Sequence, residues 1–139
     1  MQGTPKTMRR GKTKVSEVLL EVKGLKKYFP TKKGLLHAVD NVDMTIHRGE
    51  TLGLVGESGC GKSTIGRLTL RLIEATEGEI IFEGKDIRKF SHDEMQAARK
   101  KMQIVFQYPY ASLDGMKSIF QRIAEPFIVQ KVYDNSQQI

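Results

Sequence analysis

Eight residues, Gly56-Glu57-Ser58-Gly59-Cys60-Gly61-Lys62-Ser63, match the pattern G-x-x-x-x-G-K-[ST], and Thr64 follows them. The spacing has a chemical reason. A polyphosphate carries several negative charges and many acceptor oxygens, so converging backbone N–H groups hold it well. Glycines let the chain wrap closely enough to present those groups. A helix opening near Lys62 aims its free N–H groups and the positive end of its dipole at the same point. Lys62 adds a cation near the β- and γ-phosphates, and the Ser63 hydroxyl can complete a Mg2+ shell. Thr64 places a second hydroxyl near the α-phosphate. Four fixed positions match by chance in well under ~1% of chains of this length, so the motif is specific when its context agrees.

The context agrees. Leu52-Gly53-Leu54-Val55 is apolar without alternation, the pattern of a parallel strand buried on both faces. After the loop, Ile65, Leu68, Leu72 and Ile73 share one helical face and Arg67 and Arg71 another, which predicts an amphipathic helix that Thr76-Glu77-Gly78 ends. Upstream, Val18 to Val22 reads as a strand, and Pro30 with Thr31-Lys32-Lys33-Gly34 as a turn. Val42, Met44 and Ile46 alternate with Asp43, Thr45 and His47, the period of a half-exposed strand, and Arg48-Gly49-Glu50 reads as a tight turn. These segments predict an antiparallel β-layer ahead of the loop. Downstream, Ile80 to Phe82 predicts a strand. Ser91 and Glu94 form an S-x-x-E capping box opening a helix through Lys101. Met102 to Phe106 predicts the next buried strand, and Ile119, Ile123 and Phe127 a last helix from about Lys117 until Pro126 disturbs it. No internal repeat occurs. The expected class is an α/β nucleotide-binding architecture with an N-terminal antiparallel β-layer.

Composition bounds the rest. With 139 residues, 39% hydrophobic and 28% charged, the chain has the size and balance of one globular domain. No apolar run of ~18 residues is present, so no transmembrane helix is expected. The N-terminus is basic but no apolar stretch follows it as in a secretory signal. The single cysteine, Cys60, fits a reducing compartment, and the reading is cytoplasmic. Cys60 lies inside the loop without a base in reach to make it a nucleophile, and it reads as a small residue tolerated at a variable loop position. His37, His47 and His92 lack metal-ligand spacing and read as surface residues.

The net charge is +7, and Lys6, Arg9, Arg10, Lys12 and Lys14 crowd a stretch without an acid. A nucleic-acid or anionic-membrane arm would fit. No aromatic residue interleaves the charges as a stacking platform requires, so residues 1–16 read as a solvated, poorly ordered leader and no nucleic-acid partner is expected.

Several segments together carry a family resemblance: Leu25-Lys26-Lys27-Tyr28-Phe29-Pro30, Ala38-Val39-Asp40-Asn41-Val42, the loop from Gly56 to Thr64, and Phe106-Gln107-Tyr108-Pro109-Tyr110-Ala111-Ser112-Leu113. Read as a set, they resemble an ABC-transporter ATPase subunit, closest to the second ATP-binding subunit of oligopeptide and dipeptide importers. Ile123-Ala124-Glu125-Pro126 resembles the same branch. The similarity runs from about Val18 onward. G-proteins would need an N-K-x-D motif, which is absent, and small-molecule kinases have no counterpart of Phe106-Gln107.

The resemblance implies that residues 17–139 are the N-terminal part of an ABC-type nucleotide-binding domain in the P-loop NTPase fold, ending before the helical subdomain and the Walker B strand. It implies ATP and Mg2+ as cofactors. Tyr28 takes the position of an aromatic that stacks on adenine. Gly56, Glu57, Ser58, Gly59, Cys60, Gly61, Lys62, Ser63 and Thr64 take the phosphate roles. Gln107 resembles the Q-loop glutamine, which touches Mg2+ or the attacking water, so Ser63 and Gln107 are the expected metal contacts and Lys62 and Gln107 the expected catalytic ones. The stretch from Tyr108 to Gly115 would border the contact with the membrane subunits, although the family commonly has Asp in place of Tyr108 and Asn-Pro in place of Asp114-Gly115. The implied partners are membrane-spanning permease subunits, a second ATP-binding subunit in a homo- or heterodimer and, indirectly, a solute-binding protein, on the cytoplasmic face of the membrane.

Members of this family hydrolyse ATP in a composite site that also needs an L-S-G-G-Q signature, an Asp-Glu pair closing an apolar strand and a later His. None of these occurs in the sequence. Hydrolysis by this chain alone is therefore expected to be poor, and a nucleotide-binding fragment without turnover is the alternative reading. A missing neighbour beside the loop strand also predicts uncovered apolar surface. A nucleic-acid-associated ABC protein would call for a second phosphate loop, and none is present.

Overall fold

The structure is a computed structural model that describes residues 17–108 and 115–129, together with the backbone of Lys6–Met8. The chain divides into two compact units, Met1–Ser91 and His92–Ile139.

The first unit is built on a long hairpin. Strand β2 (Val18–Thr31) pairs antiparallel with β3 (Gly34–His47) across a two-residue turn at Lys32-Lys33. On its other edge β2 pairs antiparallel with β5 (Glu77–Phe82), which pairs with the short β6 (Lys85–Asp86), giving the order β3-β2-β5-β6. The alternation expected of Val42 to His47 holds at Asp43, exposed, and Met44, buried, but Thr45, Ile46 and His47 are all half-buried. The hairpin is longer than its apolar core because the ladder continues through Pro30 to Thr31.

Bulges shape this sheet. Register shifts from Val22↔Met44 to Leu25↔Val42, so β2 carries one extra residue there. The extra residue puts Val22 and Leu25, three positions apart, on the same face, and both are almost fully buried. Gly24 sits in the shift at φ 54°, with its N–H donating to Asp43 Oδ1 at 2.7 Å. Gly78 of β5 packs against this bulge: a Cβ there would lie 2.5 Å from the Gly24 carbonyl oxygen, and its φ is +95°. Val22, Leu25, Val39, Met44, Ile80, Phe82 and Ile87 are the buried apolar residues of the sheet region, joined by Ile65 and Leu68 of helix α1 (Lys62–Thr69).

Two expectations about this unit are corrected. Helix α1 stops at Thr69, short of Thr76: Arg71 turns left-handed at φ 48°, and Leu72 is 46% exposed instead of sharing the buried face of Ile65 and Leu68. The Arg71 guanidinium then donates to the carbonyls of Ile87 and Phe90, so the turn that ends the helix is held by polar bonds. The strand before the loop, β4 (Gly53–Val55), is also not buried on both faces. It pairs antiparallel with β1 (Lys6–Met8), and Val55 is 60% exposed. A parallel strand is buried only when strands flank both edges and helices cover both faces, and among the described residues β1 is its only partner.

In the second unit, helix α2 (His92–Arg99) starts directly after Ser91, as the capping pattern predicts, and buries Met95 and Ala98. Residues 102–106 form no strand, correcting that expectation; Val105 is 90% exposed. A strand needs a neighbour to satisfy its backbone groups, and no described segment pairs with this one. Helix α3 (Ile119–Val129) opens on a reciprocal cap in which Ser118 and Gln121 exchange side-chain to backbone hydrogen bonds. It runs through Pro126 rather than ending there. Lys117 also spans to Glu125 at 2.7 Å.

Candidate functional site

The loop between β4 and α1 has its shape imposed at Gly61. This residue is the N-cap of α1 with φ 95° and ψ 0°, a left-handed conformation. A Cβ at Gly61 would lie 2.3 Å from the Ala38 carbonyl oxygen of β3, so only glycine fits. Earlier in the loop, Gly59 is left-handed at φ 82° and the Cys60 N–H closes a turn on the Glu57 carbonyl at 3.3 Å. Gly56, Glu57, Ser58 and Gly59 are exposed, Cys60 is half-buried and Gly61 is buried. The chain thus arches into solvent and is anchored at its far end.

What the arch presents is positive. The first helical bond runs from the Ile65 N–H to the Gly61 carbonyl at 2.9 Å, which leaves the N–H groups of Lys62, Ser63 and Thr64 without intrahelical acceptors. No side chain caps this end and its first turn holds no acid. The Lys62 ammonium folds back over the loop, donating to the Gly56 carbonyl at 2.9 Å and the Glu57 carbonyl at 2.5 Å. It also reaches Cys60 Sγ at 3.4 Å. Three N–H groups, a dipole end and an ammonium on one arch suit a polyanion. Ser63 is exposed beside them and Thr64 half-buried. A hydroxyl at this place suits Mg2+, which takes few protein ligands and shares substrate phosphates; among the described residues no group of His, Cys, Asp or Glu forms a metal cage.

Tyr28 comes from the hairpin. Between the pairs Lys27↔Val39 and Tyr28↔His37 the register shifts again, leaving Ala38 as an extra residue of β3. The same Ala38 meets Gly61, so one bulge both seats the phosphate loop and aims the Tyr28 pair. The Tyr28 ring stacks on His37 with centroids 3.9 Å apart, and its hydroxyl donates to Asp40 Oδ1 at 2.6 Å. From the β5 side, the Tyr28 N–H donates to Thr76 Oγ1 at 3.0 Å. The hydrogen bond to Asp40 raises the Tyr28 pKa above its ordinary 10.0, with burial adding to the effect. The same bond lowers the Asp40 carboxyl below its ordinary 3.8.

Gln107 lies in the second unit, exposed, in the irregular stretch after α2. Tyr108 is 73% exposed and Gly115 is exposed too; residues 109–114 of the expected membrane-subunit border lie outside the described residues. Of the histidines, His37 and His92 are exposed as expected, but His47 is half-buried with its ring 2.9 Å from Glu50. The first unit therefore gathers Tyr28 with Gly56 to Thr64. Sequence reasoning missed His37, Asp40 and Thr76 as neighbours of Tyr28. Counting back from the turn at Lys32-Lys33 pairs Thr31 with Gly34 and Tyr28 with His37, and that count was the available signal.

An anchored phosphate loop on a strand-to-helix turn, with an aromatic beside it on an antiparallel layer, defines an α/β nucleotide-binding ATPase cassette. The ABC transporter family profile matches residues 39–138. The chain belongs to the ABC transporter family. It is 46% identical over 125 residues to the oligopeptide transport ATP-binding protein AppF of Bacillus subtilis, covering 84% of this chain and 38% of that protein. It is 47% identical over 117 residues to the dipeptide transport ATP-binding protein DppF of Haemophilus influenzae, covering 80% of this chain and 36% of the relative. The chain thus spans well under half the length of these relatives. Among solved structures, it resembles the ATP-binding cassette MJ0796, a dimer in a post-hydrolysis state bound to ADP and Pi, with 26% identity and a TM-score of 0.70 over 85% of this chain and 50% of that one.

Proposed function

We propose that this chain is the N-terminal part of the ATP-binding subunit of an importer for peptides or similar solutes, and that its loop binds ATP with Mg2+. The observation that carries the reading is the arch from Gly56 to Thr64, locked at Gly61 against Ala38 and presenting the α1 N-terminus with Lys62. In this reading the backbone of Gly56, Glu57, Ser58, Gly59, Cys60 and Gly61 wraps the phosphates. Lys62 leaves its loop carbonyls for the β- and γ-phosphates, Ser63 holds Mg2+ and Thr64 meets the α-phosphate. Tyr28 stacks on the base. Gln107 takes the Q-loop role of contacting Mg2+ or the attacking water. Bound Mg2+ supplies charge neutralisation at the phosphates.

ATP hydrolysis coupled to transport belongs, in this reading, to a composite site made with a second ATP-binding subunit, docked on membrane-spanning permease subunits at the cytoplasmic face and served by a solute-binding protein. Relatives named for oligopeptide and dipeptide transport support that assignment, and the dimeric cassette supports a paired subunit. Residues 1–16 are a basic leader ahead of the nucleotide-binding segment 17–139, with Lys6–Met8 paired to β4. By itself the chain binds nucleotide and turns it over poorly, because a general base must lie within hydrogen-bond reach of the water and the sequence contains no Asp-Glu pair closing an apolar strand.

Equilibrium titration of the chain with ATP and Mg2+ tests the site. Lys62→Ala removes a charge-assisted contact and should weaken binding about 10- to 100-fold. Unchanged affinity would sink the reading. The intact mass of the natural protein tests the subunit assignment: a product about twice the 15.7 kDa of this chain supports the motor, and one at 15.7 kDa supports a nucleotide-binding fragment without turnover.

A further inference from the structure

The base-stacking role assigned to Tyr28 above needs a ring held in one orientation, and the hairpin supplies two side chains that fix it. We infer that Asp40 and His37 are positioning residues that preset the Tyr28 ring as a base platform. This inference rests on the proposed nucleotide site and deepens it.

A tyrosine ring has two torsions to fix. The hydroxyl lies on the ring's long axis, so a hydrogen bond to it sets where that axis points but leaves the ring free to rotate about it. The bond from Tyr28 to Asp40 Oδ1, 2.6 Å, does the first task. A stacked neighbour does the second, because a planar partner at van der Waals distance opposes rotation about the axis. His37 lies 3.9 Å from the Tyr28 ring at an interplanar angle of 23°. The backbone under the ring is tied as well, with the Tyr28 N–H bonded to Thr76 Oγ1 and the Thr76 N–H to the Lys26 carbonyl.

His37 and Asp40 flank the bulge at Ala38, whose carbonyl meets Gly61. The same three residues of strand therefore reference the platform to the phosphate loop. With His37 covering one face of the ring, a base stacks on the opposite face. Presetting the ring removes rotamer freedom before binding, so its loss appears as weaker affinity for the base-bearing ligand alone.

The test is isothermal titration of the chain and its variants with two ligands, MgATP and magnesium tripolyphosphate, which share the phosphates and differ in the base. Asp40→Ala and His37→Ala should each weaken MgATP roughly three- to tenfold and leave tripolyphosphate unchanged. Asp40→Asn, which keeps an acceptor, and His37→Phe, which keeps a planar partner, should restore most of the loss. Equal losses for both ligands would mean the pair merely supports the fold, and no loss for either would mean the ring needs no positioning; each overturns the inference. Tyr28→Ala separates this failure from failure of the site itself. If it weakens MgATP alone while the Asp40 and His37 variants do nothing, the platform stands and only its positioning falls. If Tyr28→Ala spares MgATP, the platform is wrong, and the inference falls with it.

Discussion

Gly61 bears the tightest steric demand in the site, since its left-handed φ and the 2.3 Å approach of a Cβ to the Ala38 carbonyl leave no room for a side chain. Gly61→Ala should destabilise the chain by roughly 1–3 kcal/mol, measured by chemical denaturation. It should also reduce ATP affinity, because relief of the clash moves α1 away from β3. The Tyr28–Asp40 bond adds a pH signature. Asp40 titrates below its ordinary value when folded, so its contribution is present above about pH 4 and fades as pH falls through the folded value. Tyr28 titrates above its ordinary value, so its contribution is present below about pH 10 and fades as pH rises through the folded value. Denaturation midpoints followed into the alkaline range should fall less in Tyr28→Phe than in the native sequence. Asp40 is exposed and Tyr28 only half-buried, so solvent screening keeps the effect small. At this scale the glycine-rich loop from Gly56 to Thr64 and the helix start at Lys62 were legible from the motif alone. The partners of Tyr28 were not, because they follow from cross-strand register.

At the scale of elements, α1 separates a helix read from periodicity from one set by its surroundings. Ile65, Leu68, Leu72 and Ile73 share a helical face on paper, yet the left-handed Arg71 ends the helix and exposes Leu72. Leu68 is fully buried. Leu68→Ala should therefore cost about 2–5 kcal/mol, whereas Leu72→Ala should stay within about 0.5 kcal/mol, as for a surface substitution. Denaturant unfolding of the two variants checks the contrast; comparable losses would restore the longer helix. The strands divide in the same way. The hairpin was legible in the alternation from Val42 to His47, since a half-exposed antiparallel strand advertises its two faces. Residues 52–55 are apolar throughout and 102–106 apolar apart from Gln103, and such runs become buried strands only when a ladder partner is supplied.

Across the whole molecule, ligand binding and turnover should separate. A ligand that binds only the native chain stabilises it by about 2.7 kcal/mol at 100 times its dissociation constant. MgATP at that concentration should therefore raise the melting temperature by several degrees, and Lys62→Ala should remove about half or more of that rise. Phosphate release should stay near the uncatalysed background in the same samples; Lys62-dependent release at a rate typical of an intact subunit would overturn the view that the hydrolytic groups lie elsewhere. Val55 of the loop strand stands 60% exposed, matching the uncovered apolar surface expected there. Among the described residues no helix is long and apolar enough to cross a membrane.

Local chemistry in the sequence was enough to determine the phosphate loop, the helix that follows it, the antiparallel layer and the family. Each depends on residues a few positions apart: glycines that allow an arch, a lysine beside a helix start, a period of two. Only the tertiary structure decided where α1 stops, which apolar runs become strands, and that Ala38 joins the loop to the Tyr28 ring. Those outcomes depend on groups far apart in the chain, and a single bulge shifts which of them meet.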